Sequence, residues 1–157
     1  MNEVKLVNGA ETGVPPDGPL AALSAFYRGF NGRELEQVRE NWAHTDDVVM
    51  SNPLGGVRRG WPAIEEVYRR LFHGPAEVYV EFHDFETWIS EDMFCVAGRE
   101  RGWFRRDGEE ITLAIRTSRL YQRLGGEWKQ IHHHGSMDQP ELLARYQRAV
   151  LGEVISA

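Results

Sequence analysis

Cysteine is nearly absent from this sequence: Cys95 stands alone among 157 residues. One thiol cannot close an internal disulfide, so the fold rests on its apolar core, and the chain reads as intracellular and cytoplasmic. An excess of positive charge is also missing. Eighteen Lys and Arg stand against 24 Asp and Glu, a formal net charge of -6. Holding nucleic acid through its phosphates needs the opposite balance, so no nucleic-acid partner is expected. No apolar run approaches the roughly 20 residues that span a bilayer, so no membrane partner is expected either. The opening residues Met1-Asn2-Glu3-Val4-Lys5-Leu6 lack the basic-then-apolar order of a signal peptide.

What is present is ordinary for one globular domain: 41% hydrophobic and 27% charged residues. Residues 1–19 are rich in Gly, Pro, Asn and Asp and read as a mobile tail or a strap laid over the surface. Leu20, Leu23, Phe26, Tyr27 and Phe30 recur at helical spacing until Asn31-Gly32. A short helix from Glu34 to about Trp42 follows. Thr45-Asp46-Asp47 then turns the chain into a Val48-Val49-Met50 strand, ended by Ser51-Asn52-Pro53. Pro62 suits the first turn of the next helix, whose apolar face is Ile64, Val67, Tyr68, Leu71 and Phe72.

From Ala76 to Met137 the period changes to two. Runs at Val78–Phe82, Met93–Phe104, Ile111–Leu124 and Trp128–Met137 read as strands, with Asp107-Gly108 and Gly125-Gly126 as hairpin turns. Connections that short imply antiparallel pairing. Ile111, Leu113, Ile115, Thr117, Arg119 and Tyr121 share one side of their strand. Pro140 opens a C-terminal helix within the segment 138–157. Helices first and a strand meander after make an α+β fold. Its sheet is curved and antiparallel, and helices on the concave face enclose a cone-shaped hollow. The other sheet face needs cover, and Leu120 with nearby aromatic residues points to a homodimer.

The order helix, helix, Asp-Asp strand, Asn52-Pro53, Gly60, helix, then hairpins closing on Trp128-Lys129-Gln130-Ile131-His132-His133-His134-Gly135-Ser136 resembles the nuclear transport factor two-like superfamily. The nearer match is its SnoaL-like branch, with ketosteroid isomerase, polyketide cyclase and kinase association domain relatives. The resemblance runs from about Leu20 to Met137 and implies a cystatin-like α+β barrel, dimeric through its sheet. It does not fix function. In the ketosteroid isomerase pattern the base is an Asp before a Pro, and here that slot is Asn52. The pattern's Tyr falls near Phe26, beside Tyr27, and its protonated Asp falls near Arg119. The isomerase residues are therefore absent, and Asn52 is left to position a carbonyl or water, or to cap its own turn. Asp46 and Asp47 read as cap residues first and as catalytic carboxylates second.

By likeness to the kinase association domain, Arg99 and Arg119 point into the pocket toward a carboxylate-bearing ligand. Internal acids, Glu81, Glu100 or Asp84, would satisfy two buried guanidiniums equally well. In the families resembled, residues matching Ile131, His133 and Gly135 line the cavity, which makes His133 the acid/base candidate. Alternation forbids all three consecutive histidines from meeting one ion, and further ligands are lacking, so no metal and no cofactor is expected. Trp42, Tyr68, Tyr121, Phe26 and Thr117 complete the expected ligand-binding set, suited to a cyclic or carboxylate-bearing small molecule. Three functions remain open: cofactor-independent acid/base chemistry of isomerase, dehydratase, cyclase or hydrolase type; a non-catalytic small-carboxylate module; or a dimerisation domain.

Overall fold

A computed structural model describes residues 6–152. The first long helix, α1 (Pro19–Asn31), opens with Pro19 in its first turn and buries Leu23, Phe26 and Tyr27. α2 (Leu35–Asn41) buries Val38 against it, and α3 (Trp61–His73) buries Trp61, Ile64, Tyr68, Leu71 and Phe72. α4 (Pro140–Leu151) buries Tyr146. Between and before these helices lie β1 (Leu6–Val7), β2 (Val49–Ser51), β3 (Arg58–Arg59), β4 (Glu77–Ile89), β5 (Met93–Arg106), β6 (Glu109–Leu124) and β7 (Glu127–Ser136). They form one curved, open sheet in the order β1-β4-β5-β6-β7-β2-β3. The α+β reading and the antiparallel β4–β7 meander hold, with helices over the concave face.

β2 differs in kind from the meander. It joins β7 in parallel, Met50 opposite His133, which no hairpin signal announces. The N-terminal segment is a strap where it is described. Leu6 and Val7 pair with His83 and Phe82 at the sheet edge. The Glu11 carboxylate then accepts bonds from the Asn8 and Gly9 amides and the Ser24 hydroxyl. Residues 1–5 and the tail beyond 152 lie outside the described residues.

Strand parity sets what enters the concave face. On β6 the inward set is Ile111, Leu113, Ile115, Thr117, Arg119 and Tyr121, all buried, as its period of two predicts. On β5 it includes Phe94, Val96, Glu100 and Phe104. β7 changes parity midway. Its register with β6 steps between Leu120 and Tyr121, so Ile131 is an extra residue. Trp128 and Gln130 point inward before that bulge, and His133 and Gly135 point inward after it. Ile131 itself does not line the hollow, a correction to the family-based expectation: at this point of β7 the buried residue is Gln130, which accepts from Arg119 and lies outside the lining too. No helix among the described residues is long and apolar enough to cross a membrane.

Candidate functional site

The curved sheet and helices α1, α3 and α4 leave a narrow hollow of about 50 Å³. Its walls are mostly apolar, among them Phe30, Val67, Leu71, Val80, Leu113 and Ile115. Asn52, Glu100, Arg119 and His133, with Tyr68 and Tyr146, supply the polar groups. These come from six elements or their ends, so the hollow exists only in the assembled fold.

Arg119 is 2% exposed, and each of its three guanidinium nitrogens donates one bond. Its Nη2 donates to Glu100 Oε1 at 2.9 Å, its Nη1 to Gln130 Oε1 at 2.8 Å and its Nε to the Tyr27 hydroxyl at 3.3 Å. Its plane lies 3.8 Å from the centre of the Phe26 ring. Tyr27 donates in turn to the same Glu100 oxygen at 2.8 Å. Behind this pair, Asn41 Oδ1 accepts from Tyr121 and Gln130. Burial and the Glu100 carboxylate hold the Tyr27 hydroxyl well above its usual range. Burial alone would lower the Arg119 guanidinium, but Tyr27 and Glu100 beside it keep it raised and charged. A buried charge stands this way only with its partners in place.

His133 has the opposite character. It is buried, and neither Nδ1 nor Nε2 has a hydrogen-bond partner among the described residues. Burial, and then the Arg119 charge with His132 and His134 alongside, pushes its pKa well below 6.5. The ring is therefore neutral at pH 7, with one nitrogen free to accept and one to donate. Gly135 gives it room: a Cβ there would lie 3.2 Å from Nε2 and 3.1 Å from Pro53 Cδ. The Thr117 hydroxyl, on the neighbouring strand, is another buried polar group without a partner. Such atoms cost about 1–3 kcal/mol each if left unpaired, which makes the His133 ring, the one of these groups that lines the hollow, a candidate for an outside partner.

Of the expected site residues, the structure brings Asn52, Phe26, Tyr68, Arg119 and His133 together around the hollow. Asn52 Oδ1 accepts from the Leu54 amide at 2.8 Å, so the turn-capping role is real, and its amide nitrogen is the end left over. Trp42 and Tyr121 are core residues behind the wall: Trp42 Nε1 donates to the Tyr68 hydroxyl, and Tyr121 stacks on Phe94. Thr117 is buried but does not line the hollow. Arg99 is a correction. It is exposed on the opposite sheet face, because its strand places even-numbered residues inward and Arg99 is out of phase with them. Glu81 and Asp84 also lie away from Arg119, and Asp84 pairs with Arg101 instead. Asp46 and Asp47 are exposed outside the hollow. Two contributors were not anticipated as site groups: Glu100, whose inward phase with Phe94 and Val96 was a readable signal, and Tyr146, whose α4 carries no sequence mark of where it docks. No cluster of three or more potential metal ligands occurs among the described residues.

A curved sheet whose helical cover encloses a hollow of this kind is the nuclear transport factor two-like fold. The chain belongs to the SnoaL-like domain family, whose model it matches over residues 20–140. No curated protein matches it. Among solved structures, it is similar to a provisionally assigned calcium/calmodulin-dependent protein kinase type II association domain from Thiobacillus denitrificans, at 24% identity and TM-score 0.66. That match covers 77% of this chain and 95% of the other. A provisionally assigned dehydratase from Streptomyces avermitilis shares 18% identity, TM-score 0.66, with 76% and 92% covered. A ketosteroid isomerase-like protein from Erwinia carotovora atroseptica shares 22%, TM-score 0.64, with 76% and 93% covered. Likeness at this level carries the fold and no activity.

Proposed function

We propose that the hollow binds a small molecule and moves a proton on it, with His133 as the acid/base group. The observation that supports this is the pair of unpartnered ring nitrogens on a buried, neutral imidazole that lines the cavity. A neutral imidazole at pH 7 can take a proton from a carbon or hydroxyl beside it and return one elsewhere. The Asn52 amide, at the β2 end of the hollow, positions a carbonyl or water. An imidazole exchanges protons unaided, so the reading invokes no cofactor and no metal. It covers isomerisation, dehydration, cyclisation and hydrolysis. The alternative of a small-carboxylate module loses its main support, since Glu100 already neutralises Arg119 and Arg99 faces away. A pure assembly domain is disfavoured by a hollow lined with unpaired polar atoms. We also propose a homodimer, formed by pairing of the outward faces of β5–β7.

Deuterium exchange tests the chemistry. Small cyclic ketones incubated with the protein in D₂O should gain deuterium next to the carbonyl. His133→Gln should slow this by about 10²-fold or more, the usual contribution of a general base. Equal rates for wild type and variant would remove His133 from the role.

A further inference from the structure

The outward face of the sheet carries two arginines that the rest of the chain does not answer. Strand parity puts Arg99, Arg101 and Arg105 of β5 on that face, with Arg116 of β6. Arg105 lies directly opposite Glu110 and pairs with it, and Arg101 pairs with Asp84. Arg99 breaks the pattern, because its partner across the ladder is Arg116. Side chains placed this way start about 5 Å apart at Cβ, and like charges there repel. Both arginines are exposed, and neither makes an ion pair or a hydrogen bond among the described residues. The row they share runs His83, Arg99, Arg116, Ser136 across β4 to β7 and holds no acid. The acids on its flank are turned elsewhere. Glu81 accepts from Asn8 and Tyr79 and lies beside His83, and the exposed Glu86 pairs with neither arginine. The bordering residues of β5 and β6 on this face are small, Ala97, Ala114 and Ser118, so both guanidiniums stay open to solvent.

We infer that Arg99 and Arg116 form a site for a tetrahedral oxyanion, free phosphate or the phosphoryl end of a monoester. Each guanidinium presents a planar fork of donors, and a phosphate has oxygens enough to accept one fork from each strand. A carboxylate's two oxygens are used up by a single fork, so phosphate is the better match. The hydroxyls of Ser136 and Ser118, in the same row and the next, are further donors that make no bond among the described residues. A dianion set between the two arginines turns their repulsion into two attractions. The site lies on the sheet face opposite His133, so it does not rest on the reading of the hollow. Along β6 it is separated from Leu120, the centre of the proposed dimer contact, by about 13 Å.

Inorganic phosphate, glycerol 3-phosphate and chloride, compared at matched low ionic strength and neutral pH, test the site on the full chain. Binding is read by titration calorimetry and from the thermal midpoint. Phosphate should raise the midpoint saturably where chloride does not. Glycerol 3-phosphate binding as tightly as phosphate assigns the site to monoesters, and phosphate binding alone assigns it to the free ion. Arg116→Gln should weaken phosphate by at least about tenfold, the least that one lost charged hydrogen bond costs. The same variant should have the higher midpoint in chloride, where the repulsion is relieved and no phosphate is present. Arg99→Gln should repeat both effects. The titrations are run on wild type and on Leu120→Asp, so that cover by a second copy cannot hide the site. A phosphate response in either form supports the site, and a response in neither overturns it. Phosphate acting no more strongly than chloride, or Arg116→Gln keeping the affinity of its parent, also overturns it.

Discussion

Taking away either member of the Glu100–Arg119 pair strands the other as a lone charge in the core. Arg119→Met should therefore destabilise the fold by about 3–5 kcal/mol in urea denaturation, while the double change with Glu100→Gln should recover a good part of the loss. His133 predicts a pH effect of definite sign. Its folded pKa is lowered from the ordinary value near 6.5, so above that pH the ring is neutral in both states and contributes no slope. Below it the unfolded chain takes up a proton that the folded chain refuses. Stability falls as pH drops under about 6.5, by up to roughly 1.4 kcal/mol per pH unit from this one group, until the depressed folded value is reached. His133→Gln should flatten that part of the stability curve, measured by denaturation at successive pH values. At this scale the sequence carried much of the site. Period two placed Arg119 inward beside Ile115 and Thr117, and the same rule applied to β5 selects Glu100 and rejects Arg99. Likeness to a remote family pointed to Arg99, and strand parity was the better guide.

The elements were legible because their signals are local. Pro19, Pro62 and Pro140 each fall in the first turn of a helix, and the hairpin turns carry the glycines Gly108 and Gly126 at positive φ. What escaped were features set between elements. The bulge at Ile131 leaves no mark in composition, yet it decides which residues of β7 look inward. The parallel docking of β2 and the seat of α4 depend on packing across the sheet, so Asn52 and Tyr146 could not be placed opposite His133 and Glu100 from spacing. Gly102 shows how tightly β5 is drawn against β4: a Cβ there would sit 1.8 Å from the Tyr79 carbonyl oxygen. That obstacle is backbone and cannot rotate away. Gly102→Ala should cost about 3 kcal/mol or more in urea denaturation and raise amide exchange along the β4–β5 ladder, the upper range for overpacking.

For the whole molecule, the concave face is covered by the chain itself and the outward face is not. Leu120 and Ile131 are half-buried there, and Trp88 is 56% exposed. The proposed homodimer predicts a sedimenting mass twice the 18.0 kDa of one chain. Leu120→Asp should return it to one chain's mass without changing helical content by circular dichroism. A wild-type protein that sediments as one chain at all concentrations would remove the dimer.

The parallel seam between β2 and β7 bears on how the molecule is made. It unites Val49 with His132, 83 positions further along, so closing it requires a large loop to lose its freedom before any contact rewards it. A ribosome delivers the histidine strand near the end of synthesis. The hollow therefore cannot take shape while the earlier helices are emerging. Refolding followed by a probe at position 133 should lag behind signals from the β4–β5 hairpin, and a ligand that favours the finished chamber should act on that last step alone.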